Sequence, residues 1–343
     1  MKTKMLFMSS LVTGSILLGS VLAGWIDKPV PGPELIEQSV TKSLLLLQKS
    51  GYTFTNNTQH KCASCHHNSL TSMAAGLARE KGIPVVDSFT TYRIKTTENT
   101  LREVGNPNLV NRFLTANFVA PYFLLALNAE KYPASIYTDM TVDYLISQAK
   151  PDGSFLTESF RAPLEAGDVH LTAMAIRGIQ LYASPAKKQH VSMLVARTRH
   201  WLENIQKQQQ QELAFQLLGL HWCGAEKIHM AKVAKHLRSM QNEDGGWSQL
   251  PGMKSDAYAT GQTLCALYES GMVTATSETY RKGLDYLLRT QDEEGAWFVA
   301  TRSFPIQPFI NSNFPPYDDN QFISATASNW AVMALLNALP DKK

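Results

Sequence analysis

HLRSMQNEDGGW, residues 236–247, and YLLRTQDEEGAW, residues 286–297, follow one plan. An amphipathic helical stripe closes on Gln241 or Gln291, an acidic turn holds Gly245 or Gly295, and an aromatic follows at Trp247 or Trp297. The plan recurs in YLISQAKPDGSF, residues 144–155, and with altered spacing in LLLLQKSGYTF, residues 44–54. Gln48, Gln148, Gln241 and Gln291 stand 100, 93 and 50 residues apart, which fits one unit of about 50 residues with two members degraded. Those two are expected near residues 90–105 and near Gln206, where YRIKTTENTLREVG and VARTRHWLENIQKQ read as polar amphipathic helices.

After each turn comes a more apolar helix rich in small residues. These are SLTSMAAGLAREKG, ANFVAPYFLLALNAEK, DVHLTAMAIRGIQLYA, ELAFQLLGLHWCG, DAYATGQTLCALYESG and SATASNWAVMALLNAL. Helices apolar on nearly all sides are surrounded by protein, and their Ala, Gly, Ser and Thr permit close approach. Six amphipathic helices alternating with six apolar ones predict an all-α chain, in which a closed ring of six hairpins leaves no apolar face uncovered. The glycine of each turn supplies a backbone conformation that other residues resist, and its Gln and Trp are expected to clamp neighbouring hairpins.

The turns Gln241-Gly245-Trp247 and Gln291-Gly295-Trp297 resemble the repeat of the squalene-cyclase and protein-prenyltransferase superfamily. Similarity covers most of residues 36–339, weaker at Gln148-Gly153-Phe155 and altered at Gln48-Gly51-Phe54. The resemblance implies an (α/α)6 toroid whose inner-helix N-termini open into one mouth. Their first turns carry His66 and His67, Asp168 and His170, Glu212, Asp256 and Tyr258, and Asp318 and Asp319.

Cyclases of the superfamily protonate an alkene with the middle acid of Asp-x-Asp-Asp-Thr-Ala. DVHLTA, residues 168–173, keeps Asp168, Thr172 and Ala173 but puts His170 and Leu171 in place of the other two acids. Histidine is too weak an acid for an isolated double bond, so this stretch argues against cyclisation. Prenyltransferases hold zinc with an Asp-x-Cys pair and a later His. Here Asp256 is kept, Tyr258 replaces the cysteine and QFISATASNW, residues 321–330, offers no His, so no zinc is expected. Asp318, Asp319, Asp256 and Asp168 are the remaining catalytic candidates, and each also suits a helix N-cap.

Lys2 and Lys4, an apolar run and Val21-Leu22-Ala23 before Gly24 have the grammar of a secretory signal. The expected organisation is a signal peptide over 1–23, a linker over 24–35 and a toroid domain over 36–343. Export to the periplasm follows, or a tether to the inner membrane if the segment is not cleaved. Without Lys2 and Lys4 the formal charge falls from +3 to +1, and no Lys/Arg block implies nucleic acid.

QHKCASCHHNSL, residues 59–70, places Cys62, Cys65 and His66 in the Cys-x-x-Cys-His spacing at which two thiols capture a haem and the adjacent imidazole takes its iron. In an exported chain this predicts one covalent haem c at the mouth, with Cys62 and Cys65 as thioether attachments, His66 as proximal ligand and His170 as a candidate on the far side. A c-type cytochrome working beside an apolar cavity is the resulting expectation, its partner a redox protein or an apolar small molecule. Two other readings stand beside it. One is a non-haem enzyme, either a divergent terpenoid cyclase using Asp318 and Asp319 or a lyase on a polyisoprenoid or glycan. The other is a non-catalytic binding module with a Cys62–Cys65 disulfide. Cys223 and Cys265 read as buried thiols.

Overall fold

Twelve α-helices, paired as six hairpins, carry the chain through the residues that the computed structural model describes: 32–58, 61–104, 116–157, 161–303 and 310–341. The signal-peptide expectation for residues 1–23 and most of the linker lie outside them. The hairpins are α1 (Pro33–Asn57) with α2 (Leu70–Glu80), α3 (Asp87–Val104) with α4 (Ala116–Ala129), α5 (Ile136–Gln148) with α6 (Asp168–Tyr182), α7 (Lys188–Asn204) with α8 (Gln210–Trp222), α9 (Lys227–Ser239) with α10 (Ala257–Glu269), and α11 (Glu278–Thr290) with α12 (Gln321–Leu336). There are no strands among the described residues, and no helix there is long and apolar enough to cross a membrane.

The second helix of every hairpin belongs to the inner ring. α2, α4, α6, α8, α10 and α12 each pack on the next, and α12 packs on α2, so the ring closes. α1 lies against both α2 and α12, which staples the first hairpin to the last. Small side chains make this possible: Ala74, Ala75, Ala173, Ala214, Ala259 and Ala331, all on inner helices, are fully buried. The chain is therefore an (α/α)6 toroid, and α3 and α7 occupy the stretches where the degraded repeats are expected.

The repeated turns are the joints of the ring. Trp247 and Trp297 are buried, and each indole Nε1 donates at 2.7 Å to the last turn of its outer helix, at the Leu237 and Leu287 carbonyls. Each turn also sends a backbone N–H to a hydroxyl of the following inner helix: Phe155 to Thr172, Trp247 to Thr260 and Trp297 to Ser328. Gln241 Nε2 reaches the Thr279 carbonyl of the next hairpin, and Gln291 Nε2 reaches Ser39 in α1. Gly245, at φ +89°, lies so close to α11 that a Cβ would sit 2.4 Å from the Lys282 carbonyl oxygen. Gln148 departs from the pattern, being exposed and bonded to the adjacent Ser147.

The second hairpin, whose turn lacks the Gln-Gly-Trp set, is tied by charge instead. The buried Arg93 guanidinium of α3 bonds Glu130 at the end of α4 at 2.6 Å and Ser72 of α2 at 3.1 Å, while Arg79 of α2 pairs with the same carboxylate. A buried guanidinium so paired fixes geometry even where its net stabilisation is small.

Candidate active site

The segment between α1 and α2 is built from its own polar side chains. Cys65–Ser69 forms one π-turn, with Ser69 N–H reaching the Ser64 carbonyl at 3.0 Å. Ser64 Oγ caps it by accepting from His67 N–H, and Asn68 Oδ1 accepts from Ser64 N–H at 2.9 Å. Asn68 Nδ2 donates back to the Gly51 carbonyl of α1. Gly51 is needed because a Cβ there would lie 2.5 Å from the His67 carbonyl oxygen. The consequence is that His66 and His67 are pressed against the C-terminal end of α1.

The His66 ring is caged by aromatics. Its centroid lies 5.4 Å from that of Phe54, 4.9 Å from Phe322 and 4.7 Å from His67. Part of the residue reaches solvent, but Nε2 is buried with no hydrogen-bond partner among the described residues. Burial, helped by the Arg161 guanidinium, pushes its pKa down to about 3, so the imidazole is neutral. His67 stacks on Phe54 at 4.8 Å, both its ring nitrogens are buried without partners there, and burial holds it well below the usual histidine range.

A cavity of about 130 Å³ opens beside His66. Its aromatic and aliphatic wall is Phe54, Leu164, Ile310, Phe322 and Ile323, and its polar wall includes Asp319 and the Arg161–Glu165 ion pair. The loop before α6 supplies Arg161, Leu164 and Glu165, and the approach to α12 supplies Asp319. The first, third and sixth hairpins thus meet at one side of the mouth.

The other candidates take different places. Asp318 Oδ1 accepts from Asn320 N–H at 2.8 Å and closes the turn leading into α12, leaving Asp319 as the member of the pair that faces the cavity. Asp256 caps α10: it accepts from Ala259 N–H and from Gln249 Nε2, each at 2.9 Å, and burial raises its carboxyl pKa. Asp168 accepts from Thr157 N–H at 2.9 Å.

His170 does not line the cavity. It is stacked on Phe215 at 3.8 Å inside the ring, with Tyr122 Oη 2.6 Å from Nε2 and Gln211 Nε2 3.2 Å from Nδ1. Tyr258, standing where a prenyltransferase has its cysteine, donates to Gln211 Oε1 at 2.8 Å. His170 shares one hydrogen bond with the Tyr122 hydroxyl through Nε2. Burial lowers its pKa to about 3. Arg161, Glu165, Phe54 and Phe322 carried no sequence signal as site residues, because nothing in the repeat distinguishes them and only folding brings them to His66.

No family profile matches the whole or part of the chain. A stretch of 94 residues, 24% of this chain, is 37% identical to squalene–hopene cyclase from Zymomonas mobilis, and 116 residues, 33% of this chain, are 28% identical to lanosterol synthase erg7A from Aspergillus fumigatus. The fold is that of the squalene-cyclase-like toroids. Each matched stretch spans only 14% of the relative's length. Among solved structures, the type II terpene cyclase MstE from Scytonema superposes with a TM-score of 0.61 at 14% identity, covering 90% of this chain and 99% of that one. Unsaturated glucuronyl hydrolase from Bacillus sp. GL1 superposes with a TM-score of 0.54 at 13% identity, covering 88% of this chain and 96% of that one.

These findings overturn the expectation of a c-type haem protein engaged in electron transfer. The matched sequences are those of cyclases, none of the similar structures named above is a haem protein, and among the described residues no group of three or more His, Cys, Asp and Glu is placed to hold a metal ion. The residues of the motif also do not fit the group. An apolar cavity of about 150 Å³ accommodates a single benzene ring, so the space beside His66 is far below porphyrin size. Cys65 is a buried thiol, pushed strongly upward by burial, with Sγ 3.5 Å from His66 Nδ1. His170, the candidate for the far side of the iron, is bonded to Tyr122 within the ring. The spacing Cys62-x-x-Cys65-His66 here straddles a helix start, with Cys62 half-buried in the loop before it and Cys65 packed inward at its first residue.

Proposed function

We propose that the chain is a divergent terpenoid-cyclase-like enzyme that takes the end of an isoprenoid chain into the mouth cavity, with Asp319 as proton donor and His66 as the terminating base. The observation that carries this reading is the lining: the Asp319 carboxyl, the Arg161–Glu165 ion pair and the neutral His66 ring share one cavity wall with the Phe54 and Phe322 rings and aliphatic side chains. The similarity to cyclases supports it, as does a related structure of the Scytonema enzyme in complex with geranylgeranyl dihydroxybenzoate as substrate. The cavity has room for about one isoprene unit, with the rest of the chain lying across the mouth.

The Asp319 carboxyl adds its proton to the terminal alkene, whose π pair forms the new C–H bond and leaves a tertiary carbocation. The Phe54 and Phe322 rings stabilise that charge through their π faces, and the Arg161–Glu165 ion pair keeps that side of the wall without net charge. A second alkene attacks the cation and forms the ring bond. The neutral His66 ring then removes a proton from the neighbouring carbon, and the C–H pair becomes the product alkene. The proton returns through solvent to Asp319, so the product is an isomer of the substrate. His170 takes no part, since its Nε2 is occupied by Tyr122.

The test is incubation with geranylgeraniol, farnesol and squalene in deuterated water, with products read by gas chromatography and mass spectrometry. One deuterium per cyclic isomer is expected. Asp319→Asn should lower turnover about a hundredfold or more, the usual scale for a general acid. His66→Phe should keep consuming substrate but divert the cation to water, giving alcohols. Absence of turnover of every isoprenoid, or full activity in Asp319→Asn, would discard the assignment.

A further inference from the structure

Three of the repeat turns dock on the outer helix of the hairpin that follows. A Cβ on Gly153 would lie 2.4 Å from Thr198 N of α7, one on Gly245 2.4 Å from the Lys282 carbonyl oxygen of α11, and one on Gly295 2.9 Å from Lys42 Cγ of α1. Each glycine follows an acid, Asp152, Asp244 or Glu294, and each receiving helix brings a cation to the contact, Arg197, Lys282 or Lys42. Thr198 Oγ1 donates to the Gly153 carbonyl at 2.7 Å and Arg289 to the Asp244 carbonyl at 2.9 Å, so these joints are polar as well as close.

The joint between the fourth and fifth hairpins has no such turn. α7 passes to α8 through residues 205–209 alone, and Ile205-Gln206-Lys207-Gln208-Gln209 holds no glycine, acid or aromatic. A groove of about 810 Å³ opens there instead, between residues 206–208 and α9. Buried Leu202, Leu213, Leu220 and Val233 line it, and Ile228 in its wall is 70% exposed. Lys232 and Lys235 of α9 line it too, exposed and without an ion pair among the described residues. His229 and His236 stand beside them, Lys207 is paired with Glu212 at 2.8 Å, and the carboxylate in the lining is Glu203. Residues 188–238 hold eight Lys and Arg against three Asp and Glu, so a nearly neutral chain turns a cationic side outward here.

We propose that this groove docks an acidic peptide of a partner protein, a turn with glycine and an aromatic residue that takes the place left open in the fourth joint. The three intact joints show what an outer helix of this ring receives. The two free lysines supply the charge complement, and the apolar floor with Ile228 supplies a seat for the aromatic ring. The groove shares no lining residue with the mouth cavity, so the proposal does not rest on chemistry there.

A labelled peptide of the chain's own residues 242–248, NEDGGWS, is the probe, titrated with the full chain and followed by fluorescence anisotropy. Saturable binding of one peptide per chain is expected, weakening as salt rises. Lys232→Gln with Lys235→Gln should weaken it about tenfold, the scale of two exposed charge contacts. Lys227→Gln with Arg238→Gln removes the same charge from α9 outside the groove and should leave binding within about twofold. Ala231→Trp, which fills the groove from an exposed position, should abolish it, as should Glu243→Gln with Asp244→Asn in the peptide. Circular dichroism checks that each variant is folded. Absence of saturable binding, equal losses in the two charge pairs, or tighter binding to phosphatidylglycerol vesicles than to the peptide would each overturn the assignment.

Discussion

Acidification from pH 7 should unfold this protein near pH 5, without any denaturant. Three histidines are held neutral in the interior: His66 and His170 are lowered to about 3 and His67 well below its ordinary value, all chiefly by burial. In the unfolded chain each titrates near 6.5. Between those values the unfolded state binds protons that the folded state refuses, so stability is complete above pH 6.5 and is lost as pH falls toward the folded pKa. Each group contributes a slope of about 1.4 kcal/mol per pH unit, or about 2 kcal/mol by pH 5. Three together approach roughly 6 kcal/mol, comparable with the whole stability of a typical domain. Asp256 acts in the opposite sense, because burial raises its carboxyl and acid favours its folded form, but it is one group against three. His67→Phe is the sharpest variant, since that ring already stacks on Phe54 and makes no hydrogen bond through either nitrogen among the described residues. The acid midpoint, followed by circular dichroism, should move down by about half to one pH unit. A wild-type midpoint below pH 4, or no shift in the variant, would refute the account.

Gly245→Ala should destabilise the ring by more than about 3 kcal/mol, the second large effect. Two penalties coincide there. The backbone is left-handed at φ +89°, and the new Cβ would meet the Lys282 carbonyl oxygen at 2.4 Å, a backbone atom of α11 that has nowhere to retreat. Gly252 separates the two. Its φ of +81° imposes a similar strain, but no heavy atom lies within 4 Å of a Cβ, so Gly252→Ala should lose only about 1–2 kcal/mol. Urea unfolding measures both. Equal losses would mean that the turn does not act as a joint between hairpins.

The repeat made the fold legible. Gln241, Gly245 and Trp247 act within a dozen residues of one another, and helical periodicity is local, so the alternation of outer and inner helices could be read without tertiary information. Gln148 shows the limit: it occupies the same place in the plan, yet it bonds only to its neighbour Ser147 among the described residues. The site was legible in part. Position along the chain placed His66 and Asp319 at helix starts near one mouth, but it also grouped Asp168, Asp256, His170 and Asp318 with them. Those four were separated only by their partners: Asp256 caps α10, Asp168 and Asp318 accept from loop N–H groups, and His170 bonds Tyr122.

The haem expectation failed for a related reason. Cys62, Cys65 and His66 satisfy a spacing rule that concerns reach along one loop, and spacing carries no information about volume. The free space beside the imidazole is set by Phe54 of α1 and Phe322 of α12, more than 250 residues apart. Sequence alone determined what local periodicity determines here: twelve helices, their pairing and the joints between them. Tertiary structure alone decided which side chains share a cavity, how large it is and which nitrogens are left without partners, because these depend on distances between hairpins that only ring closure fixes.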